Sequence, residues 1–295
     1  MKIEMKNHLK PCAIVSIVIM IIALVMTMTG NGMNLGIDFT GGTIMTYNMG
    51  GAFNVDDVNA VLINDCGVSN VQIAKAGEDE SQVQIRISDK ENTDELREVF
   101  ESKIAETYPE IEYVDISRVG AVAGRDLINN AIKSVAFASV LMLLYIAVRF
   151  DFFSGLAAVI GLLHDVAIML SFMVLFRGFI RVDSTFIAAL LTIVGYSINN
   201  TIIIFDRIRE NSHKVGVRSL PREEIVNKSV TDSLPRTLCT TITTLLTIVT
   251  LYVFGVASIK QFALPLIIGI VAGTYSANMI NGYVWAALMN WRNKK

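Results

Sequence analysis

Charge is scarce in this chain. Only 18% of its 295 residues are Asp, Glu, Lys or Arg, against 53% hydrophobic residues and a mean hydropathy of +0.51. Soluble domains carry about 25% charged residues, so this composition excludes an ordinary water-soluble fold and points to a membrane protein. Cysteine is nearly missing too: Cys12 and Cys239 fall in apolar runs and Cys66 stands alone between the first two runs, which excludes an intrachain disulfide there. The three histidines, His8, His164 and His213, are scattered, and no zinc-ligand spacing exists. The patterns HExxH, GxSxG and GxxxxGK[ST] are all absent, which removes the standard zinc-protease, nucleophile-elbow and P-loop cases. The expectation is a protein that is not an enzyme, holds no cofactor or metal, and draws any energy from an ion gradient or a partner.

What the chain does have is long apolar runs. A hydrocarbon core about 30 Å thick needs roughly 20 apolar residues to cross as a helix. Six runs qualify, at about 12–30, 128–149, 153–176, 184–205, 237–256 and 262–289. The first follows Lys2, Lys6 and Lys10 but passes into TMTGNGMN without an Ala-x-Ala-like site, so it reads as a retained anchor rather than a cleaved signal. Basic residues Arg207, Arg209, Lys214, Arg218, Arg222, Lys228 and Arg236, and then Arg292, Lys294 and Lys295, place the loop after the fourth run and the C-terminus in the cytoplasm. The N-terminus lies on the same side, whereas Arg177 and Arg181 argue weakly against this orientation. The division expected is residues 1–30 for the N-terminus and first span, 31–126 for an extracytoplasmic domain, and 127–295 for five further spans with a cytoplasmic loop at 207–235.

The inserted segment is acidic, with 18 Asp plus Glu against 7 Lys plus Arg from Asn31 to Asp126, which argues against nucleic acid or an anionic surface as its partner. Its patterning alternates strand and helix periods. TIMTYNM (43–49), NVQIAKA (70–76), SQVQIRISD (81–89) and IEYVDISRVG (111–120) read as strands, the middle two forming a hairpin around GEDE. NVDDVNAVLINDCG (54–67) and NTDELREVFESKIAETYPE (92–110) read as amphipathic helices, the second with Thr93 as its N-cap. The order βαββαβ predicts a ferredoxin-like α+β domain between the first two spans of a six-helix membrane protein. RFDFF (149–153) predicts a tight helical hairpin, and PREEIVNKSVTDS a short loop helix opened by Pro221 and ended by Pro235.

Polar residues within the apolar runs mark the candidate site, because an ionised side chain at the bilayer centre costs about 2.5–3.5 kcal/mol on insertion scales. Asp165, beside His164, lies roughly 18 Å into the third span by helical rise. It either lines a path for an ion or proton, or is satisfied by a neighbouring Arg, Thr or Asn and holds helices together. In the fourth span Asn199 and Asn200 sit about 100° apart on the helix, so only one can face the bundle. An amide can hydrogen-bond or offer its oxygen to an ion, but it carries no proton near neutral pH. Threonines 237, 240 or 241, and 244 share one face of the fifth span and suit bonding across helices. Arg236 at the end of that span is a snorkelling anchor or a charge partner for the fourth span.

LGIDFTGGT (35–43) after the first span, VGAVAGRDL (119–127) before the second, and GYSINNTIIIFDRIREN (195–211) in the fourth resemble the SecF family, the smaller subunit of the SecDF accessory complex of bacterial protein export. RFD (149–151), HD (164–165) and SLPRTLCTTITTLL (233–246) support the resemblance, which covers essentially the whole chain. It implies half of a resistance-nodulation-division-type transporter in the bacterial cytoplasmic membrane. Such a subunit pairs with SecD, associates with the SecYEG channel, and helps draw a translocating preprotein outward using a proton or sodium gradient. The resemblance places Gly36, Asp38, Gly41 and Gly42 on the family motif after the first span, Gly41 and Gly42 making a sharp turn, and matches Arg236 to the family arginine of the fifth span. One position departs: where the family has Ser-x-Asn-Asp-Thr, this chain has Asn200 in place of the aspartate that takes part in ion passage. The ion path is then expected to rely on Asp165 and His164, on an acid in SecD, or on sodium with Asn200 as a neutral ligand. Alternatives are a non-conducting structural subunit of the translocase and half of a related lipid or drug exporter.

Overall fold

A computed structural model describes residues 5–68, 71–77, 81–87, 93–217 and 219–292, with backbone alone at 5–10, 72, 121, 257 and 258. It divides into two compact units, one of Met1–Asn34 with Ala131–Lys295 and the other of Leu35–Asn130. The chain opens with α1 (Met5–Met28) and then a single helical turn, α2 (Ile37–Thr40). The inserted unit continues as β1 (Gly42–Asn48), α3 (Val55–Asn64), β2 (Gln72–Ala76), β3 (Gln82–Ile87), α4 (Thr93–Ile104) and β4 (Glu112–Val119). Its antiparallel sheet has the order β2-β3-β1-β4, as expected for the βαββαβ pattern.

One face of that sheet is apolar because alternate residues of β1 and β3 point the same way. Met45, Tyr47, Val83 and Ile85 are fully buried against Val58 and Leu62 of α3 and Phe100 and Ile104 of α4. Burial raises the Tyr47 phenol above its ordinary pKa, assisted by Glu101, which accepts its hydrogen bond at 3.2 Å. Asn54 caps α3 by accepting from the Asp56 amide. Thr93, expected as a cap, is instead the first residue of α4, and the residue before it lies outside the described residues.

The membrane unit continues with α5 (Ala121–Arg149), α6 (Phe152–Leu175), α7 (Thr185–His213), α8 (Arg222–Phe254), α9 (Ala257–Ser276), a π-helical turn (Ala277–Asn281) and α10 (Gly282–Arg292). Six helical segments are long and apolar enough to span a bilayer, α9 to α10 forming the sixth, so the chain is a multi-pass membrane protein with an inserted α/β domain. Half of the α6 and α7 windows and 61% of the sixth are buried, against 11%, 6% and 11% for α1, α5 and α8. The first three therefore form the centre of the bundle, and any polar group they carry must be satisfied from one another.

Two local expectations fail. α7 runs on to His213, and α8 is one helix from Arg222 through Pro235 to Phe254, so Pro235 does not end a short loop helix. Proline in a helix interior costs about 3 kcal/mol in isolation. Here the face formed by Val226, Ser229, Val230, Ser233, Thr237 and Thr241 is buried on both sides of Pro235, and that packing carries the helix through. The sixth span, expected at about 262–289, is one segment over Ile259–Arg292 and widens into a π turn at Ala277–Asn281.

Candidate functional site: a buried polar lattice in the membrane bundle

Asp165 lies in the middle of α6 and is fully buried. Its Oδ2 accepts from the hydroxyls of Ser197 on α7 and Ser276 at the end of α9, the latter at 2.8 Å, and His164 Nδ1 lies 3.0 Å from its Oδ1. Polar groups from three helices thus converge on the two carboxyl oxygens. His164 stacks obliquely on Tyr275, ring centroids 5.9 Å apart, and its Nε2 is buried with no hydrogen bond to a described residue.

A second string of polar groups starts one turn along α7. Asn200, fully buried, donates from Nδ2 to Thr274 Oγ1 at 3.2 Å. Thr274 gives its own proton to the Ile270 carbonyl, so Thr241 of α8, 2.8 Å away, donates to Thr274 and accepts from Tyr196 at 3.3 Å. Thr237 bonds Asn278 Oδ1 at 3.2 Å, and Asn281 donates to Thr201 at 2.7 Å. The two strings meet through α7 and α9, since Ser197 lies one turn before Asn200 and Thr274 two residues before Ser276. The Oδ1 atoms of Asn200 and Asn281 are buried without a hydrogen-bond partner among the described residues.

Local sequence explains why these side chains meet. A Cβ at position 161, one turn before Asp165, would collide with the Asn281 amide, and one at position 273 would lie 3.0 Å from the Ser197 Cβ. Glycine at both points lets the helices close until hydroxyls and amides are within bonding range. The π turn carries Asn278 and Asn281 inward together, both at most 3% exposed. Turns of this kind recur at functional sites in helices.

Of the residues singled out from the sequence, Asp165, His164 and Asn200 come together in this lattice. Asn199 faces outward and Asn200 inward, one of the two arrangements that the 100° offset allows, and Arg236 is exposed with no side-chain hydrogen bond or ion pair to a described residue. Gly36, Asp38, Gly41 and Gly42 belong to the other unit, where Gly36 precedes α2 and Gly41 and Gly42 take φ of 74° and 136° at the turn into β1. A Cβ on Gly42 would lie 2.6 Å from the Ile87 carbonyl oxygen, so only glycine fits there. Gly124 of α5 meets α2 in the same manner, a Cβ there falling 2.5 Å from the Phe39 carbonyl oxygen, which ties LGIDFTGGT to VGAVAGRDL. Sequence reasoning missed Ser197, Thr201, Thr274, Ser276, Asn278 and Asn281. The run GTYSANMIN (273–281) was the available signal, being unusually rich in small polar residues for a span. Among the described residues, no group of three or more His, Cys, Asp or Glu side chains is placed to hold a metal.

Six spans, an α/β domain inserted after the first, and a polar lattice at the bundle centre define an α-helical multi-pass membrane protein. Residues 99–291, well over half of the chain, match the family model for the protein export membrane protein SecD/SecF, C-terminal, and residues 27–49 match that for the SecD/SecF GG motif. The chain is 36% identical over 250 residues to protein translocase subunit SecF of Sebaldella termitidis, covering 83% of this chain and 79% of that one. It is 37% identical over 287 residues to the subunit of the same name from Rhodothermus marinus, with coverages of 92% and 88%. The fold matches SecDF, a translocon-associated membrane protein from Thermus thermophilus, with a TM-score of 0.78 and 31% identity over 97% of this chain. It matches a super-membrane-facing form of SecDF with a TM-score of 0.68 at the same identity. The chain spans 38% and 39% of those two SecDF chains. The chain belongs to the SecD/SecF family of protein-export membrane proteins, on its SecF side.

Proposed function

We propose that this chain is an accessory subunit of the Sec translocase that works with a SecD partner at the SecYEG channel, coupling an ion gradient across the bacterial cytoplasmic membrane to preprotein export. Its termini lie in the cytoplasm and the α/β domain outside, in keeping with the basic segments after the fourth span. The observation that carries the coupling role is the His164–Asp165 pair. It is a titratable pair at the bundle centre, with His164 Nε2 buried and without a hydrogen-bond partner among the described residues, whereas Asn200 cannot take up a proton. Protonating the pair weakens what Ser197 and Ser276 give to the carboxylate, so a proton would loosen the joint between α6, α7 and α9. Asn200 Oδ1, buried without a hydrogen-bond partner among the described residues, would serve as a neutral ligand if the coupling ion is sodium.

A second reading is a structural subunit that conducts nothing. The full donor set on Asp165 favours it, because a buried carboxylate bonded to three helices also serves to fix their arrangement. Export into inverted vesicles containing this chain with SecD and SecYEG, under an imposed proton or sodium gradient, tests both. Loss of gradient stimulation in Asp165→Asn, with the complex intact, supports coupling; stimulation equal to the unsubstituted complex removes Asp165 from the path.

A further inference from the structure

At the end of the membrane unit formed by the α5–α6 turn, the far part of α7 and α10 there is a cavity of ≈ 230 Å³ that the lattice above does not use. Phe150, Phe205 and Trp285 wall it, and Arg209, His213 and Asp151 supply its charged or titratable groups. Arg149, Asp206 and Glu210 line an open groove that shares Arg209 and His213 with the cavity.

Among the described residues that line the cavity or the groove, Arg209 is the arginine with no ion pair, and Asp151, which lines the same cavity, is a carboxylate with none. Asp151 is committed as the N-cap of α6: its Oδ1 accepts from the Ser154 amide at 2.9 Å, and its Oδ2 from the Ser154 hydroxyl at 2.6 Å and Trp285 Nε1 at 3.4 Å. Asp206 pairs with Arg149 at 3.2 Å, and Glu210 with Arg207 at 2.6 Å and Lys214 at 2.8 Å. Arg209 makes a single hydrogen bond, from Nη1 to the Arg149 carbonyl at 3.1 Å, and no ion pair with a described residue. His213, one turn on and therefore on the same face, bonds the Arg209 carbonyl through Nδ1 at 2.7 Å, which leaves Nε2 directed elsewhere.

From this geometry we infer that the cavity is a binding site for the phosphate of an anionic phospholipid, with Arg209 as the principal ligand and His213 beside it. A guanidinium presents a fork that matches phosphate oxygens, and basic pockets between membrane helices bind anionic headgroups. The depth agrees with a lipid rather than a free anion. The apolar run of α7 ends at Phe205 and turns charged at Asp206, so the cavity sits where headgroups lie, flanked by an aromatic wall of the kind found at that level. Val148 and Phe152, 88% and 57% exposed on either side of the α5–α6 turn, offer apolar surface to an acyl chain. Inorganic phosphate would use none of it.

The test is native mass spectrometry of the full chain in detergent with dioleoyl phosphatidylglycerol, dioleoyl phosphatidylcholine or inorganic phosphate added. The unsubstituted chain should retain phosphatidylglycerol over phosphatidylcholine. Arg209→Gln should weaken that retention about tenfold, the loss of one charge-assisted contact. Lys260→Gln, an equal loss of charge on an exposed residue near the start of α9, should leave it unchanged. If Arg209→Gln does not fold, Arg209→Lys, which keeps the charge and loses the fork, should give an intermediate loss. Independently, phosphatidylglycerol should raise the thermal midpoint of the unsubstituted chain more than phosphatidylcholine does. Equal retention of the two lipids, indifference to both Arg209 substitutions, or an equal midpoint rise with inorganic phosphate alone would overturn the assignment.

Discussion

The Ser276 hydroxyl lies 2.8 Å from Oδ2 of Asp165, joining the last residue of α9 to the middle of α6 across 111 positions of sequence. Ser197 bonds the same oxygen from α7. One carboxylate oxygen thus ties together the three most buried helices of the bundle.

Replacing Ser276 with Ala removes a hydrogen bond to a charged group and should cost about 1.5–3 kcal/mol. Ser197→Ala should cost a similar amount, and the double variant should depart from the sum of the two because both hydroxyls serve one atom. Thermal unfolding in detergent, followed by tryptophan fluorescence, measures all three. A loss below about 0.5 kcal/mol for either single variant, the range of unremarkable surface substitutions, would mean that these bonds do not hold the joint.

Asn200→Asp introduces a titratable acid beside Thr274. Export driven by this variant should become more strongly dependent on the proton gradient, and any dependence on sodium should fall. Gradient-driven export in vesicles at several pH values and sodium concentrations reads the change. Identical profiles for the variant and the unsubstituted chain would remove the position 200 side chain from coupling.

Gly42→Ala tests the turn into β1. At a φ of 136° the added Cβ lies 2.6 Å from the Ile87 carbonyl oxygen, a backbone atom that cannot swing aside. The strained backbone alone costs on the order of 1–3 kcal/mol, before the clash is counted. The variant should show faster proteolysis within the α/β domain at unchanged assembly of the membrane helices, whereas unchanged protease resistance would show that the turn relaxes freely.

The α/β domain was legible in the sequence because each strand and helix there buries one face, and burial on one face writes a period into the sequence. Met45 and Tyr47, or Leu96, Phe100 and Ile104, announce their element by spacing alone. Within the bilayer that signal fades, since lipid-facing and bundle-facing positions are both apolar. Asp165 stood out because a carboxylate is costly there, but its partners did not: Ser197 and Ser276 look like ordinary small residues of a span, and only the fold brings them together. Asn199 and Asn200 showed the opposite limit, the helical offset requiring that one face outward without saying which. Pro235 misled because its local preference to end a helix was overridden by the buried face of α8 on either side of it.

The proposed coupling role requires that the His164–Asp165 pair take up a proton when an ion gradient works on this subunit. Infrared difference spectroscopy on the reconstituted complex, with the outside acidified, observes that event directly. A protonated-carboxyl band should appear on acidification, shift in His164→Gln, and vanish in Asp165→Asn. A spectrum without such a band, or a band of unchanged intensity in Asp165→Asn, would contradict the account.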